Sequence, residues 1–203
     1  MRRPQVNPKS REKLLGCALE LMRKRGYGAT SVEDICRAAR VTKGCFFHYF
    51  ESKEQLGQML LERFCCDAMS EMKDGCCTLE GEKDPLKRVF GRIDFFINMY
   101  RRQPDRKGCL IGKFTQELSE MNPEIRTMCA EGFAKWGDFL KKDLQAAKAR
   151  YAAKSNIDAR SLAEHFIAVV QGSQILARAK QDGRVVEQNL KHFKEYLRRL
   201  FKR

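Results

Sequence analysis

The sequence predicts an all-α fold in which a small three-helix amino-terminal head precedes a larger helical body. Three observations point there. Apolar residues recur at the three-and-four spacing of helices rather than in alternation. Only five of the 203 residues are proline, and β-branched runs are few. The apolar stripes are bounded by capping residues on one side and by glycine or proline on the other.

The elements follow in chain order. Residues 1–9 are a basic arm that either touches a polyanion or is simply flexible. Ser10 can cap a first helix with the stripe Leu14, Leu15, Ala18, Leu19 and Met22, closed by Arg23-Lys24-Arg25 and Gly26. Thr30 and Glu33 have capping-box spacing and start a second helix, with Ile35, Ala38 and Ala39 on its apolar face. After a short turn at Arg40-Val41, Thr42 is a natural N-cap for a third. Two short helices joined by a tight turn, with Thr and Lys opening the second, make a helix-turn-helix. That third helix puts Lys43, Gly44, Phe47, His48 and Tyr49 where phosphate and base edges would lie, while Phe46 and Phe50, four apart, lock it to its neighbours. Ser52 and Gln55 form another capping box, opening a helix to about Met72.

Beyond a loop at 73–84, Asp84-Pro85 opens a helix with Leu86, Val89, Phe90, Ile93, Phe96, Ile97 and Tyr100 on one face. The segment 103–108 is a break. A short helix from Cys109 to Met121 is ended by Asn122-Pro123, which starts a long one to about Tyr151. Asn156 or Asp158 caps the next, to about Gln181, and the last runs from Val185 to the end. The final two carry the clearest interaction pattern. Val186, Leu190, Phe193, Leu197 and Leu200 are spaced 4, 3, 4, 3. Leu162, Phe166, Val169, Val170 and Leu176 form a second apolar face, where Gly172 and Ser173 permit close approach. Such faces pack within one chain or meet a second copy in a four-helix interface.

The formal charge is +14, which suits a polyanionic partner. Residues 1–53 hold 12 Lys+Arg against 5 Asp+Glu, and residues 184–203 hold 7 against 2. The first excess fits phosphate binding; the second reads as a solvated helix face. No apolar segment follows the basic amino terminus as in a signal peptide, and no stretch is long enough to span a membrane. Nine cysteines in such a chain read as thiols in a reducing cytoplasm. Cys65-Cys66 and Cys76-Cys77 lack metal-ligand spacing, and no metal or cofactor is expected. His48, His165 and His192 are scattered, and no phosphate loop, nucleophile elbow or carboxylate pair supports an enzyme.

The stretch from Thr30 to Glu54 resembles the signature of TetR-family transcriptional regulators: Thr30-Ser31, Asp34-Ile35, Val41-Thr42-Lys43-Gly44, His48-Tyr49-Phe50 and Ser52-Lys53-Glu54. The resemblance implies a DNA-binding domain over 1–53 and a ligand-binding and dimerisation domain over 54–203. Double-stranded operator DNA, a homodimeric partner and a small-molecule effector are the implied partners. The implied DNA-binding residues are Thr30, Ser31, Thr42, Lys43, Gly44, Phe47, His48, Tyr49 and Lys53. Phe47 stands where the family usually has Tyr, and Arg40 where the turn often has Gly. Phe95, Phe96, Met99, Tyr100, Phe114, Phe133, Trp136 and Phe166 lie on helices that surround the effector pocket in the family. Leu162, Val169, Leu176, Leu190, Phe193 and Leu197 are the expected dimer residues. A DNA-binding adaptor controlled by a protein partner, with no small ligand, is the alternative reading.

One further motif stands out. Gly108-Cys109-Leu110-Ile111-Gly112 looks like the Gly-Cys-x-x-Gly motif of a subgroup that includes the N-ethylmaleimide reductase repressor, in which the cysteine senses electrophiles and oxidants. A thiol at a helix start, near Arg106, Lys107 and Lys113, has reason to be acidic. By its distance from Gly172, Arg178 falls where that relative has an assisting lysine. Arginine cannot take over the neutral-amine chemistry. The expectation is therefore a Cys109 that either senses or merely caps and packs.

Overall fold

The computed structural model describes residues 8–102 and 108–202, and the basic arm at 1–7 and the break at 103–107, with Arg106 and Lys107, lie outside them. Among the described residues the chain is helical throughout, without strands. Its helices are α1 (Pro8–Arg25), α2 (Val32–Ala39), α3 (Lys43–Tyr49), α4 (Lys53–Gly75), α5 (Pro85–Arg102), α6 (Leu110–Leu118), α7 (Pro123–Tyr151), α8 (Ala159–Lys180) and α9 (Arg184–Leu200), with a 3-10 turn at Cys77–Leu79. The all-α expectation holds.

Compactness divides the chain into two units. One comprises Met1–Cys66 with Cys109–Ala130, the other Asp67–Gly108 with Glu131–Arg203. The head is thus not a unit that stops at residue 53. It shares its unit with the start of α4, with α6 and with the first turns of α7.

The first unit is built on a small core of Leu14, Ala18, Met22, Ile35, Ala39, Phe46, Phe50 and Leu56, all but closed to solvent. α2 starts one residue later than capping-box spacing suggests. Ser31 is the N-cap, its side chain accepting from the Asp34 amide (3.1 Å) while the Asp34 carboxylate accepts from the Ser31 amide (3.1 Å). Thr30 is fully buried instead. The face of α2 turned inward is Ile35, Cys36 and Ala39, and Ala38 is exposed. Arg40 ends α2 in the left-handed region (φ 55°, ψ 47°), which explains why glycine suits this turn.

The second unit holds the larger core, where α5, α7, α8 and α9 converge. Ile93, Phe96, Leu140, Leu144, Phe166, Val170, Val186, Leu190 and Leu197 are each at most 1 % exposed. The stripe expected on residues 86–100 is the buried face of α5, apart from half-buried Phe90. Asp158 is the cap of α8, accepting from the Arg160 amide (3.0 Å). Asp143 of α7 lies between two guanidinium groups of α5, accepting from Arg88 Nε (2.7 Å) and Arg92 Nε (2.8 Å).

Four of the six residues expected in the dimer seam are covered within the single chain. Leu162, Leu190, Phe193 and Leu197 are 7, 0, 3 and 0 % exposed within the single chain. The 4-3-4-3 spacing marks an apolar stripe without saying who covers it, and α9 lays that stripe against its own chain's core. Leu176, 48 % exposed, and half-buried Val169 do face outward, with Ile175 and Tyr196.

Candidate nucleic-acid interface and effector region

The third helix of the head is short, and its seven residues divide sharply by exposure. Thr42 caps it, Oγ1 accepting from the Cys45 amide (3.2 Å). Phe46 is its one buried residue, packed against Phe50 at 5.3 Å between ring centroids. Those two rings anchor the helix, and its other positions turn outward. Lys43, Gly44, Phe47 and His48 are exposed and Tyr49 is half-buried. Around Gly44 only Thr42 Oγ1 comes within 4 Å of where a Cβ would stand, so a polymer backbone has room to approach. The first turn has free amide donors and no carboxylate. Lys43 makes a solvent-exposed ion pair with Glu33 (3.2 Å). Such a pair is weak and readily exchanged for phosphate. Ser31 and Thr42 are also exposed.

Two residues expected to contact DNA have partners within the first unit. The Thr30 hydroxyl is buried and donates to the Gly26 carbonyl (2.7 Å). The Lys53 ammonium donates to the carbonyls of Tyr27 and Thr30 (3.1 Å each) and lies 4.0 Å from the centre of the Tyr27 ring. Burial pushes the Lys53 pKa down, opposed by the Glu117 carboxylate. Local sequence showed a lysine at a helix start, whereas the fold bends the Gly26–Thr30 loop over it.

In the second unit, Phe95, Phe96, Trp136 and Phe166 form a continuous run of edge-to-face rings, with centroids 5.1 to 5.6 Å apart, and Phe133 lies 6.4 Å from Trp136. Phe96 and Phe166 are fully buried; Phe95, Met99, Phe133 and Trp136 are half-buried. Tyr100 adds a polar group, its hydroxyl accepting from Gln174 Nε2 (2.6 Å). One turn earlier on α8, Gln171 Nε2 is buried with no acceptor among the described residues. Phe114 does not join this set. It belongs to the first unit, where it meets the Tyr27 ring edge-on at 5.5 Å.

Cys109 occupies the N-cap position of α6 and is 8 % exposed. Its carbonyl accepts from the Lys113 amide (3.2 Å). Gly108 before it has φ +79°, and a Cβ there would stand 3.7 Å from Gln174 Oε1 and 4.0 Å from Arg178 Nη2. Arg178 therefore does approach the residue preceding the thiol. Among the described residues no group of three His, Cys, Asp or Glu side chains could hold a metal, and no helix is long and apolar enough to cross a membrane. An open groove of about 380 Å³ lies between α5 and α9, lined by Arg101, Lys191, Lys194 and Arg198 beside Asp94 and Glu195. Its four cations are already paired with Glu187, Asp94 and Glu195, which leaves one net positive charge for an anion.

Sequence reasoning missed the residues that hold the head from outside it. Glu117 of α6 accepts from the Gly28 amide (2.8 Å), and Asn122 bonds Glu54. Both are long-range contacts between polar residues, and a single sequence carries no periodic signal for them.

Comparison with known proteins agrees with this geometry. Residues 14–58 match the family described as bacterial regulatory proteins, tetR family, and residues 85–193 match the tetracyclin repressor-like C-terminal domain. The chain is 29 % identical over 180 residues to the HTH-type transcriptional repressor DhaR of Mycobacterium sp. (strain GP1), spanning 89 % of this chain and 88 % of that protein. It is 23 % identical over 188 residues to the HTH-type transcriptional repressor NemR of Escherichia coli (strain K12), spanning 93 % and 94 %. A TetR transcriptional regulator from Chloroflexus aurantiacus superposes with a TM-score of 0.80 at 27 % identity, covering 93 % of this chain and 94 % of that one. These families and relatives are regulators of transcription, not enzymes. With a helix-turn-helix at its amino terminus and a helical body that matches over more than half its length, the chain belongs to the TetR family of DNA-binding transcriptional regulators.

Proposed function

We propose that the chain is a cytoplasmic repressor that binds palindromic operator DNA as a homodimer and is released by a small hydrophobic or electrophilic effector, with Cys109 as the sensing thiol. The observation that carries this reading is α3. Its apolar side is consumed by Phe46 and Phe50, and Lys43, Gly44, Phe47, His48 and Tyr49 are left on the side open to a major groove. Ser31 and Thr42 supply hydroxyls for phosphate. Phe47 offers no hydrogen bond, so its contact with DNA is apolar.

The dimer uses the outward face of α8 and α9. Val169, Ile175, Leu176 and Tyr196 give it apolar surface, and at Gly172 a Cβ would meet nothing within 4 Å, which lets a second helix come close. The effector occupies the neighbourhood of the aromatic run in the second unit. The buried Gln171 donor, without an acceptor among the described residues, supports a polar ligand group beside α8, because such an amide costs stability until something accepts from it. Gln171→Leu is accordingly expected to raise stability by about 1–3 kcal/mol. A melting temperature in calorimetry that stays put or falls would mean that the amide is already satisfied in solution.

Cys109 is supported by the Gly108–Gly112 motif and by its position at a helix N-terminus, where a sulfur feels the positive end of the helix dipole. Its 8 % exposure restricts attack to small reagents.

The test is fluorescence anisotropy on labelled DNA from upstream of the chain's own gene, at fixed salt. Wild type is expected to bind and to be released by N-ethylmaleimide. Cys109→Ser binds and is not released. Lys43→Ala binds at least about tenfold more weakly, the order of one lost phosphate or guanine contact. Unchanged affinity in Lys43→Ala removes α3 as the reading helix. Equal release of Cys109→Ser removes Cys109 as the sensor.

A further inference from the structure

We infer that Glu117 is a positioning residue for DNA recognition: from α6 its carboxylate clamps the Gly26–Thr30 loop, and the loop sets α2 and α3. This rests on the reading of α3 as the DNA-reading helix.

The loop leaves α1 at Gly26, whose φ of +96° opens a backbone path that other residues rarely take. Four groups then hold it. The Thr30 hydroxyl closes it on the Gly26 carbonyl (2.7 Å). Lys53, from the first turn of α4, donates to the Tyr27 and Thr30 carbonyls (3.1 Å each). Phe114 meets Tyr27 edge-on. Glu117 takes the Gly28 amide at 2.8 Å, a donor with no helical acceptor.

The fit at Gly26 is close. A Cβ there would stand 2.3 Å from Glu117 Oε1, so the carboxylate lies flush against the bare glycine and any side chain would expel it. Glu117 also acts on the Lys53 ammonium through charge. Two helices outside the helix-turn-helix, α4 and α6, therefore grip one loop with an anion and a cation. Ser31, the cap of α2, follows that loop directly, so its position sets where α2 starts and how α3 is presented. A free loop would leave α2 and α3 folded on Phe46 and Phe50 but variable in pitch, and phosphate and base contacts are lost when their donors are misplaced. α6 begins beside Cys109 and ends beside Glu117, about 12 Å apart at 1.5 Å per residue.

The experiment measures binding of the same labelled upstream DNA by full-length wild type, Glu117→Ala, Glu117→Gln, Gly26→Ala, the double variant Gly26→Ala/Glu117→Ala and Lys43→Ala, each over a salt series with its melting curve. Glu117→Ala is expected to bind about tenfold more weakly, as befits a lost hydrogen bond to a charged group. Its salt slope falls below the wild-type value, because a misplaced α2 and α3 lose phosphate contacts and release fewer counterions. Its melting temperature falls by only a few degrees, the order of one lost hydrogen bond in a chain of this size. Glu117→Gln, whose amide oxygen still accepts from Gly28, recovers most of the affinity. Gly26→Ala weakens binding in wild type and adds less in the Glu117→Ala background, where there is no carboxylate to expel.

Wild-type or tighter binding by Glu117→Ala overturns the inference, tighter binding marking the carboxylate as a mere repulsive charge. A loss of affinity matched by a collapse of the melting temperature, with no rescue by Gln, also overturns it, as a general structural role. If Lys43→Ala weakens binding and Glu117→Ala does not, the clamp fails and the reading helix stands. If neither weakens it, the assignment of α3 fails.

Discussion

Phe46→Ala is expected to abolish operator binding while the second unit stays folded. Phe46 is fully buried and is the only buried residue of α3. Its ring packs on Phe50 at 5.3 Å and on Phe47 at 5.2 Å, and Arg11 reaches over Phe50 at 6.0 Å. Truncating a buried phenylalanine costs about 3–5 kcal/mol through lost burial and the cavity left behind. Seven residues with one anchor cannot hold a helix after that loss, since helices this short depend on tertiary packing. Amide hydrogen exchange is the measurement. Protection is expected to vanish across α2 and α3 and to persist in α5, α8 and α9, whose core lies in the other unit. Phe47→Ala is the control, because a side chain in a residue 55 % exposed contributes little to folding. Retained protection in α3 of Phe46→Ala, or undiminished DNA binding, would contradict the account of how the helix is held.

The second large effect is expected at Asp143, in the other unit. The residue is 5 % exposed, and its carboxylate accepts from both Arg88 and Arg92. Asp143→Ala would leave two mostly buried guanidinium groups without their anion. Removing one member of a buried ionic cluster costs about 3–5 kcal/mol. The lower end applies, because Arg88 keeps the Glu82 carbonyl (2.7 Å) and Arg92 keeps the face of Phe139 (4.3 Å). About 3 kcal/mol corresponds to a fall in melting temperature of roughly 6–12 °C for a chain of this size. Salt should change the deficit little, since buried charges are poorly screened. Asp143→Asn, which keeps the shape and one acceptor, is expected to fall between. A melting temperature within a degree of wild type would show that the two arginines find other partners and that α5 and α7 do not depend on this tie. DNA binding well below the transition should be unaffected, which separates this variant from Phe46→Ala.

Much of the fold is legible in local pattern, because local pattern is where helices are decided. The bounds of α5, α7 and α8 follow from Asp84-Pro85, Asn122-Pro123 and Asp158, where a cap or a missing amide acts within one turn. Thr30-Ser31 illustrates the limit. Both are good caps, and only the closure of the Thr30 hydroxyl on Gly26 decides between them. The site was legible in part for the same reason. Lys43, Gly44 and Phe47 are on the open side of α3 because Phe46 and Phe50 occupy the other, an alternation visible in the sequence itself.

What the sequence by itself determined is the helical class, the order of the helices and the TetR-like reading head, all carried by short-range spacing and capping chemistry. Only the tertiary structure decided which apolar stripes are core, that Lys53 holds a loop, that Phe114 belongs with Tyr27, and that Glu117 meets Gly28 across 89 positions of chain. An apolar face has no inherent partner, since burial is non-directional. A polar side chain that pairs across the fold leaves no periodic trace, so its role appears only when distant segments come together.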